Sequence, residues 1–150
     1  MTESIQHKFY THSREAFTAM IQAATSAERS IYLESFIFLQ DTFPTHNFVD
    51  IFCEKARQGV RVVLVIDALG SYSLDTAERV RLVEAGAELL FFTNWFRRLH
   101  RKLLIVDGSV AFIGGVNVGR RYIEWLDLHI RLTSRLFVRG LLRSFAHSYA

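Results

Sequence analysis

The sequence is poor in the residues that interrupt or cross-link regular structure. It has one proline in 150 residues, so almost every backbone N–H is free to join helices and sheets, which argues against a disordered or linker-like chain. Its single cysteine, Cys53, excludes an intramolecular disulfide. Lying in a helical pattern, that cysteine reads as a small buried hydrophobe. No apolar run approaches the roughly 20 residues that span a bilayer. The opening residues, MTESIQHKFY, lack the apolar centre of a cleavable signal. The expectation is a cytoplasmic protein, or one peripheral at an inner membrane. No linker, repeat or low-complexity tract divides the chain, and residues 1–150 read as a single domain long enough to bury a core.

What is present is apolar and regularly patterned. Half of the residues are hydrophobic. Ser13 to Arg29 predicts a helix, with Ser13 as its cap and Phe17, Met20, Ile21 and Ala24 on one stripe. SIYLESFIFL, Ser30 to Leu39, predicts a strand. THNFVDIFCEKARQG predicts a second helix ended by Gly59. VRVVLVIDAL, Val60 to Leu69, is apolar throughout, as a strand covered on both faces should be. A helix over about Asp75 to Ala85, the strand AELLFF, a hairpin, the strand WLDLHIRL and a helix from about Leu136 complete the chain. This order predicts an α/β fold with a mixed sheet.

The hairpin, RRLHRKLLIVDGSVAFIGGVNVG, carries the chemistry. Its centre is apolar, yet Arg97, Arg98, Arg101 and Lys102 crowd around His100 at one end. If Asp107-Gly108 forms a two-residue turn, His100 and Lys102 share one face and Asp107 has the opposite parity. That register sets Gly115 opposite His100 and Ile113 opposite Lys102, with Asn117 on the face of Gly115. The result is an imidazole, an ammonium and a carboxamide around a residue with no side chain. This set suits an anionic, oxygen-rich group such as a phosphodiester. The aromatics Phe91, Phe92, Trp95 and Phe96 precede the cations. The segment from Phe91 to Lys102 therefore reads as basic and aromatic, suited to an anionic lipid surface or a nucleic acid.

HRKLLIVDGSVAFIGGVN resembles the signature of the phospholipase D superfamily: His-x-Lys-x4-Asp, then Gly-Gly or Gly-Ser, x, Asn. ARQGVRVVLVIDALGS and WLDLHIRL resemble the flanking segments. The order and spacing are most similar to the amino-terminal half of bacterial cardiolipin synthases. The resemblance implies a phospholipase D-like α/β sandwich in which two such halves build one active site. It implies His100 as a catalytic histidine, Lys102 and Asn117 as phosphate contacts, Gly114 and Gly115 as the bare backbone beside the substrate, and Asp107 as the aspartate of the motif. Parity points Asp107 away from His100, so it reads as structural, fixing the turn. At Gly115 some family members offer a serine hydroxyl, whereas this chain offers backbone alone. Leu126 replaces an arginine common in the family's Trp-Arg-Asp-x-His-x-Arg segment.

A histidine nucleophile needs a group to hold its second nitrogen. Asp127 is the expected orienting carboxylate, with Glu124 its rival, and Asp67, at the end of a buried strand, is a lesser candidate to line the cleft. No metal-ligand spacing and no nucleotide-phosphate loop occur, so no cofactor or metal is expected. The implied function is a cardiolipin synthase-like phosphatidyltransferase working through a phosphohistidine. Its implied partners are a phosphatidylglycerol-like phospholipid and an anionic membrane surface. Because the chain has one His-x-Lys motif, the second histidine must come from a second copy or from a longer chain. Two alternatives remain at this stage: a single-motif endonuclease of the same superfamily acting on DNA or RNA, and a non-catalytic half-domain or fragment.

Overall fold

The computed structural model describes residues 6–39, 47–94 and 98–149. The described elements are, in chain order, β1 (His7–His12), α1 (Ser13–Thr25), β2 (Ser30–Ser35), α2 (Phe48–Arg57), β3 (Arg61–Asp67) and α3 (Thr76–Glu84). After these come β4 (Glu88–Phe92), β5 (Lys102–Val106), β6 (Val110–Gly114), β7 (Leu126–Leu132) and α4 (Arg135–Tyr149). The strands form a single seven-stranded sheet in the order β1-β7-β6-β5-β2-β3-β4. β2, β3 and β4 run parallel, and every other pairing is antiparallel. The sheet is mixed, as expected, and helices cover both of its faces. On one face α1, α2 and α3 pack through Phe17, Met20, Phe52 and Leu82 onto Ile31, Leu33, Leu64 and Leu104. On the other, α4 sets Val138 and Phe145 against Val63, Val65, Leu103 and Ile105.

Several boundaries differ from the sequence reading, each for a visible reason. β1 has a largely polar sequence, HKFYTH, with Tyr10 its one buried residue, and it forms by pairing with β7. Ser13 does not cap α1. It is the first helical residue, buried, and its amide donates to Trp125 O. α1 ends at Thr25, short of Arg29, because the Asp107 carboxylate takes the amides of Glu28, Arg29 and Ser30. β2 stops at Ser35, since the amides of Ile37, Phe38 and Leu39 turn to Asn117 Oδ1, Ser71 Oγ and Val118 O. α2 and α3 follow their sequence signals. Asn47 and Asp75 cap them with side-chain oxygens, and Gly59 and Gly86 terminate them with positive φ of 88° and 99°.

The hairpin register also shifts. Asp107 and Gly108 both adopt positive φ, 54° and 64°, and Ser109 N donates back to Val106 O, so this is the tight turn expected of Asp-Gly. Ser109 is left out of the ladder, however, and Val106 pairs with Val110. Lys102 therefore faces Gly114 rather than Ile113. The extra residue moves the whole of β6 by one position relative to a two-residue loop.

Candidate active site

The corrected register assembles one row of residues across three strands. Gly114 lies between Lys102 on β5 and His129 on β7. This row is on the α1 face, at the end of the sheet where β5 begins. Lys102 is only 7% exposed. Its ammonium donates to His100 O at 2.7 Å and lies 3.2 Å from His100 Nδ1. Phe36 forms the wall: its ring centroid is 4.9 Å from that of His100 and 5.5 Å from Lys102 Nζ. Burial lowers the Lys102 pKa, and the Asp127 carboxylate partly offsets the fall. The His100 imidazole itself remains exposed to an incoming group.

Asn117 sits in the loop after β6. Its Oδ1 accepts from Ile37 N at 3.3 Å, next to the Phe36 wall. With Oδ1 engaged, the two donors on Nδ2 are the part of the carboxamide left for a ligand. Gly114 and Gly115 are required by close approach. A Cβ on Gly114 would strike Leu128 O and come within 2.7 Å of His129 Cα. A Cβ on Gly115 would strike the Asp127 carboxylate. The double glycine thus lets β7 and its acid close over the strand end.

Asp127 has a different neighbourhood from the one expected. Its Oδ1 accepts from Leu128 N at 2.8 Å, and its charge acts on Lys102 and His129. Among the described residues no hydrogen bond joins it to the His100 ring. Within one chain Asp127 is therefore a counter-charge to the ammonium. Glu124, its rival, pairs with Arg14 at the surface. Asp67 does not line a cleft. It is 1% exposed, and its carboxylate accepts from Leu69 N, Gly70 N and Leu99 N, the last at 3.0 Å. It pins the backbone immediately before His100.

Asp107 stands at the far end of the hairpin, held by three backbone amides and with Arg29 donating to its carbonyl. Burial acts to raise its pKa, but the donors from Ser30, Glu28 and Arg29 outweigh that and keep it below the usual carboxylate value. Its role is structural, as parity suggests, and it touches none of the row around Lys102.

Sequence reasoning did not single out His129. It is 2% exposed, its Nδ1 accepts from Val116 N at 3.4 Å, and its Nε2 has no partner. Burial drives its pKa down to about 4 against a smaller opposing effect of Asp127. It is a neutral imidazole at the floor of the site. The available signal was its parity with Asp127 on β7.

The described residues of the basic aromatic segment do not form one continuous surface. Phe91 packs onto the larger core beneath Arg79, and Phe92 onto the smaller one. Arg101 turns to the opposite face of the sheet and pairs with buried Glu34. Trp95, Phe96 and Arg97 lie outside the described residues. Among its described residues Thr93, Asn94, Arg98 and His100 are exposed, so Arg98 and His100 are the basic side chains it presents.

Residues 20–148 match the family described as "Cardiolipin synthase, PLD-like domain". The probable cardiolipin synthase YwiE of Bacillus subtilis is 34% identical over 145 residues, covering 86% of this chain and 29% of that protein. The chain thus spans less than a third of the length of this curated relative. Among solved structures, NucT from Helicobacter pylori superposes with a TM-score of 0.75 at 12% identity, over 97% of this chain and 96% of that one. Nuc from Salmonella typhimurium, a phospholipase D family member, gives 0.73 at 19% identity, over 97% and 93%. These structural likenesses support the fold, and the sequence match supplies the family. With its His-x-Lys pair, double glycine and asparagine gathered at one end of such a sheet, the chain belongs to the phospholipase D-like domain family of the cardiolipin synthases.

Proposed function

We propose that the chain is one catalytic half of a phosphatidyltransferase acting on phosphatidylglycerol-like phosphodiesters. The observation that carries this reading is the buried Lys102 ammonium, fixed to His100 O beside two glycines that bare the backbone. An ammonium withdrawn from water is an electrostatic partner prepared for an oxyanion, and its desolvation is offset when a phosphate arrives.

In the first step a histidine nitrogen attacks phosphorus and the bond to the leaving alcohol breaks. A second histidine gives that alcohol its proton. An acceptor alcohol, or water, then displaces the phosphohistidine and returns a proton to the second histidine. Lys102 Nζ and Asn117 Nδ2 stabilise the charge on the non-bridging oxygens in both steps, a type of contribution commonly worth several kcal/mol. Lys102 supplies the positive charge, so the scheme needs no metal. The second histidine is the His100 of another copy, or its counterpart in a longer chain. The protein works at the membrane surface that holds its substrate. No described helix is long and apolar enough to cross a membrane.

The test sets phosphatidylglycerol vesicles and plasmid DNA side by side. Release of glycerol or formation of a diphosphatidyl product, lost in His100→Ala, supports the reading. Cleavage of DNA with inert lipid would replace it with the nuclease alternative.

A further inference from the structure

The face of the sheet opposite the Lys102 row is incompletely covered. α4 spans its centre, but β7 and β1 extend past the helix. Phe9 pairs with Ile130, so Phe9, Leu126 and Leu128 project from the α4 side. They are 56%, 76% and 56% exposed. On α4 itself Leu136 and Phe137 are also exposed, at 75% and 44%. Five large apolar side chains thus share one side of the molecule, and Leu126 and Leu128 flank Asp127 at the rim of the site.

The charge on α4 itself is of one sign, and the two acids beside it, Glu34 and Glu88, are paired with Arg101 and Arg61. α4 contains no Asp or Glu, while Arg135, Arg139, Arg143 and His147 recur every fourth residue along its outer surface. Four arginines outside α4, Arg14, Arg61, Arg81 and Arg101, are paired with carboxylates. Among the described residues no carboxylate pairs with Arg139 or Arg143. At the start of α4, Arg135 and Arg139 join Arg29, Ser109 and Thr133 around an open cavity of about 400 Å³. The one acid in that lining, Asp107, is already held by backbone amides.

We propose that this face docks the protein on an anionic phospholipid bilayer, with a lipid phosphate seated in the arginine cavity. Apolar side chains interleaved with arginines are what an interfacial helix needs: the cations meet headgroups while the leucines and phenylalanine enter the acyl boundary. Nucleic acid would satisfy the arginines but would leave Phe9, Leu126, Leu128, Leu136 and Phe137 in water. The inference rests on the phospholipid reading for the identity of the anion, and it moves the membrane contact from the Phe91–Lys102 segment to α4.

Flotation of the full chain tests it, with vesicles of phosphatidylglycerol and phosphatidylcholine against phosphatidylcholine alone. The expected result is capture by the first and not the second, weakened by salt. Arg139→Gln/Arg143→Gln should lower partitioning by about thirty-fold, from two cations at the surface. Leu136→Ser/Phe137→Ser should weaken it comparably, and duplex DNA should not compete. His100→Ala should float as the parent does, so that docking is read without turnover. A chain that floats but lacks turnover would count against the transferase reading alone. Three outcomes would overturn the docking surface. One is unchanged flotation of the folded arginine variant. Another is competition by DNA with the leucine–phenylalanine variant unaffected. The third is light scattering showing that these substitutions dissociate a dimer.

Discussion

Arg101 closes on the Glu34 carboxylate beneath the sheet, on the face opposite the one from which its neighbour Lys102 projects. Two consecutive residues at the start of β5 thus carry their charges to opposite sides of the sheet. Glu34 is 1% exposed and is further held by Ser148 Oγ at 2.9 Å, while Arg101 also reaches Ser144. The pair ties α4 to the strand that bears Lys102.

Glu34→Ala should therefore destabilise the fold by about 3 kcal/mol, because it strands a partly buried guanidinium. Glu34→Ala/Arg101→Met should recover part of that loss. Urea denaturation of the single and double variants measures both. A cost under about 0.5 kcal/mol would place this pair with ordinary surface ion pairs.

The two glycines should respond differently to alanine. At Gly114 the added methyl meets Leu128 O and the His129 backbone, which cannot move without opening the β6–β7 ladder. At Gly115 it meets the Asp127 side chain, which can rotate away. Gly114→Ala should lower the melting temperature by several degrees, whereas Gly115→Ala should cost less stability and act mainly on turnover. Equal melting temperatures for the two variants would contradict this assignment.

These contrasts mark what a linear reading can reach. The row around Lys102 was legible because His100, Lys102, Gly114, Gly115 and Asn117 lie within one hairpin, where spacing maps onto geometry. Even there Ser109 shifted the register, since nothing local says whether a residue after a tight turn joins the ladder. The Glu34–Arg101 pair joins residues 67 apart in sequence. Each has the look of a solvated charge until β2 and β5 are set side by side. β1 was missed because a polar edge strand has little hydrophobic signal of its own and depends on β7 for its form. The cations of the hairpin read as one patch because sequence adjacency hides the alternation of a strand.

Asn117 offers a test that separates geometry from charge. Asn117→Asp keeps an acceptor for Ile37 N but replaces the donors facing the phosphate with negative charge. It should leave stability nearly unchanged and lower turnover by more than Asn117→Ala, itself expected to lose about a hundredfold. Lys102→Ala should lose at least as much. In the parent, activity should decline at alkaline pH before an ordinary lysine would titrate, since burial lowers the Lys102 pKa and the ammonium is the useful form. Equal rates for the aspartate and alanine variants would remove Asn117 from contact with the phosphate.

His129 makes stability sensitive to acid in a defined window. The folded imidazole stays neutral down to about pH 4, because burial penalises its charge. An unfolded chain protonates its histidines near pH 6.5. Between these values the unfolded state binds the extra proton, so stability rises with pH across the window and is lost as pH falls. The loss attributable to this residue is up to about 3 kcal/mol. His129→Gln removes the titration. The variant should be less stable than the parent at pH 7, where a packed imidazole is replaced, yet the gap should narrow as pH falls from 6.5 towards 4. Asp107 loses its own stabilisation only as pH falls through its lowered pKa, and that effect is common to both proteins. Chemical denaturation of the pair at several pH values measures the gap directly. A gap constant with pH would mean that His129 is either charged in the folded protein or open to water, and not the neutral floor of the site.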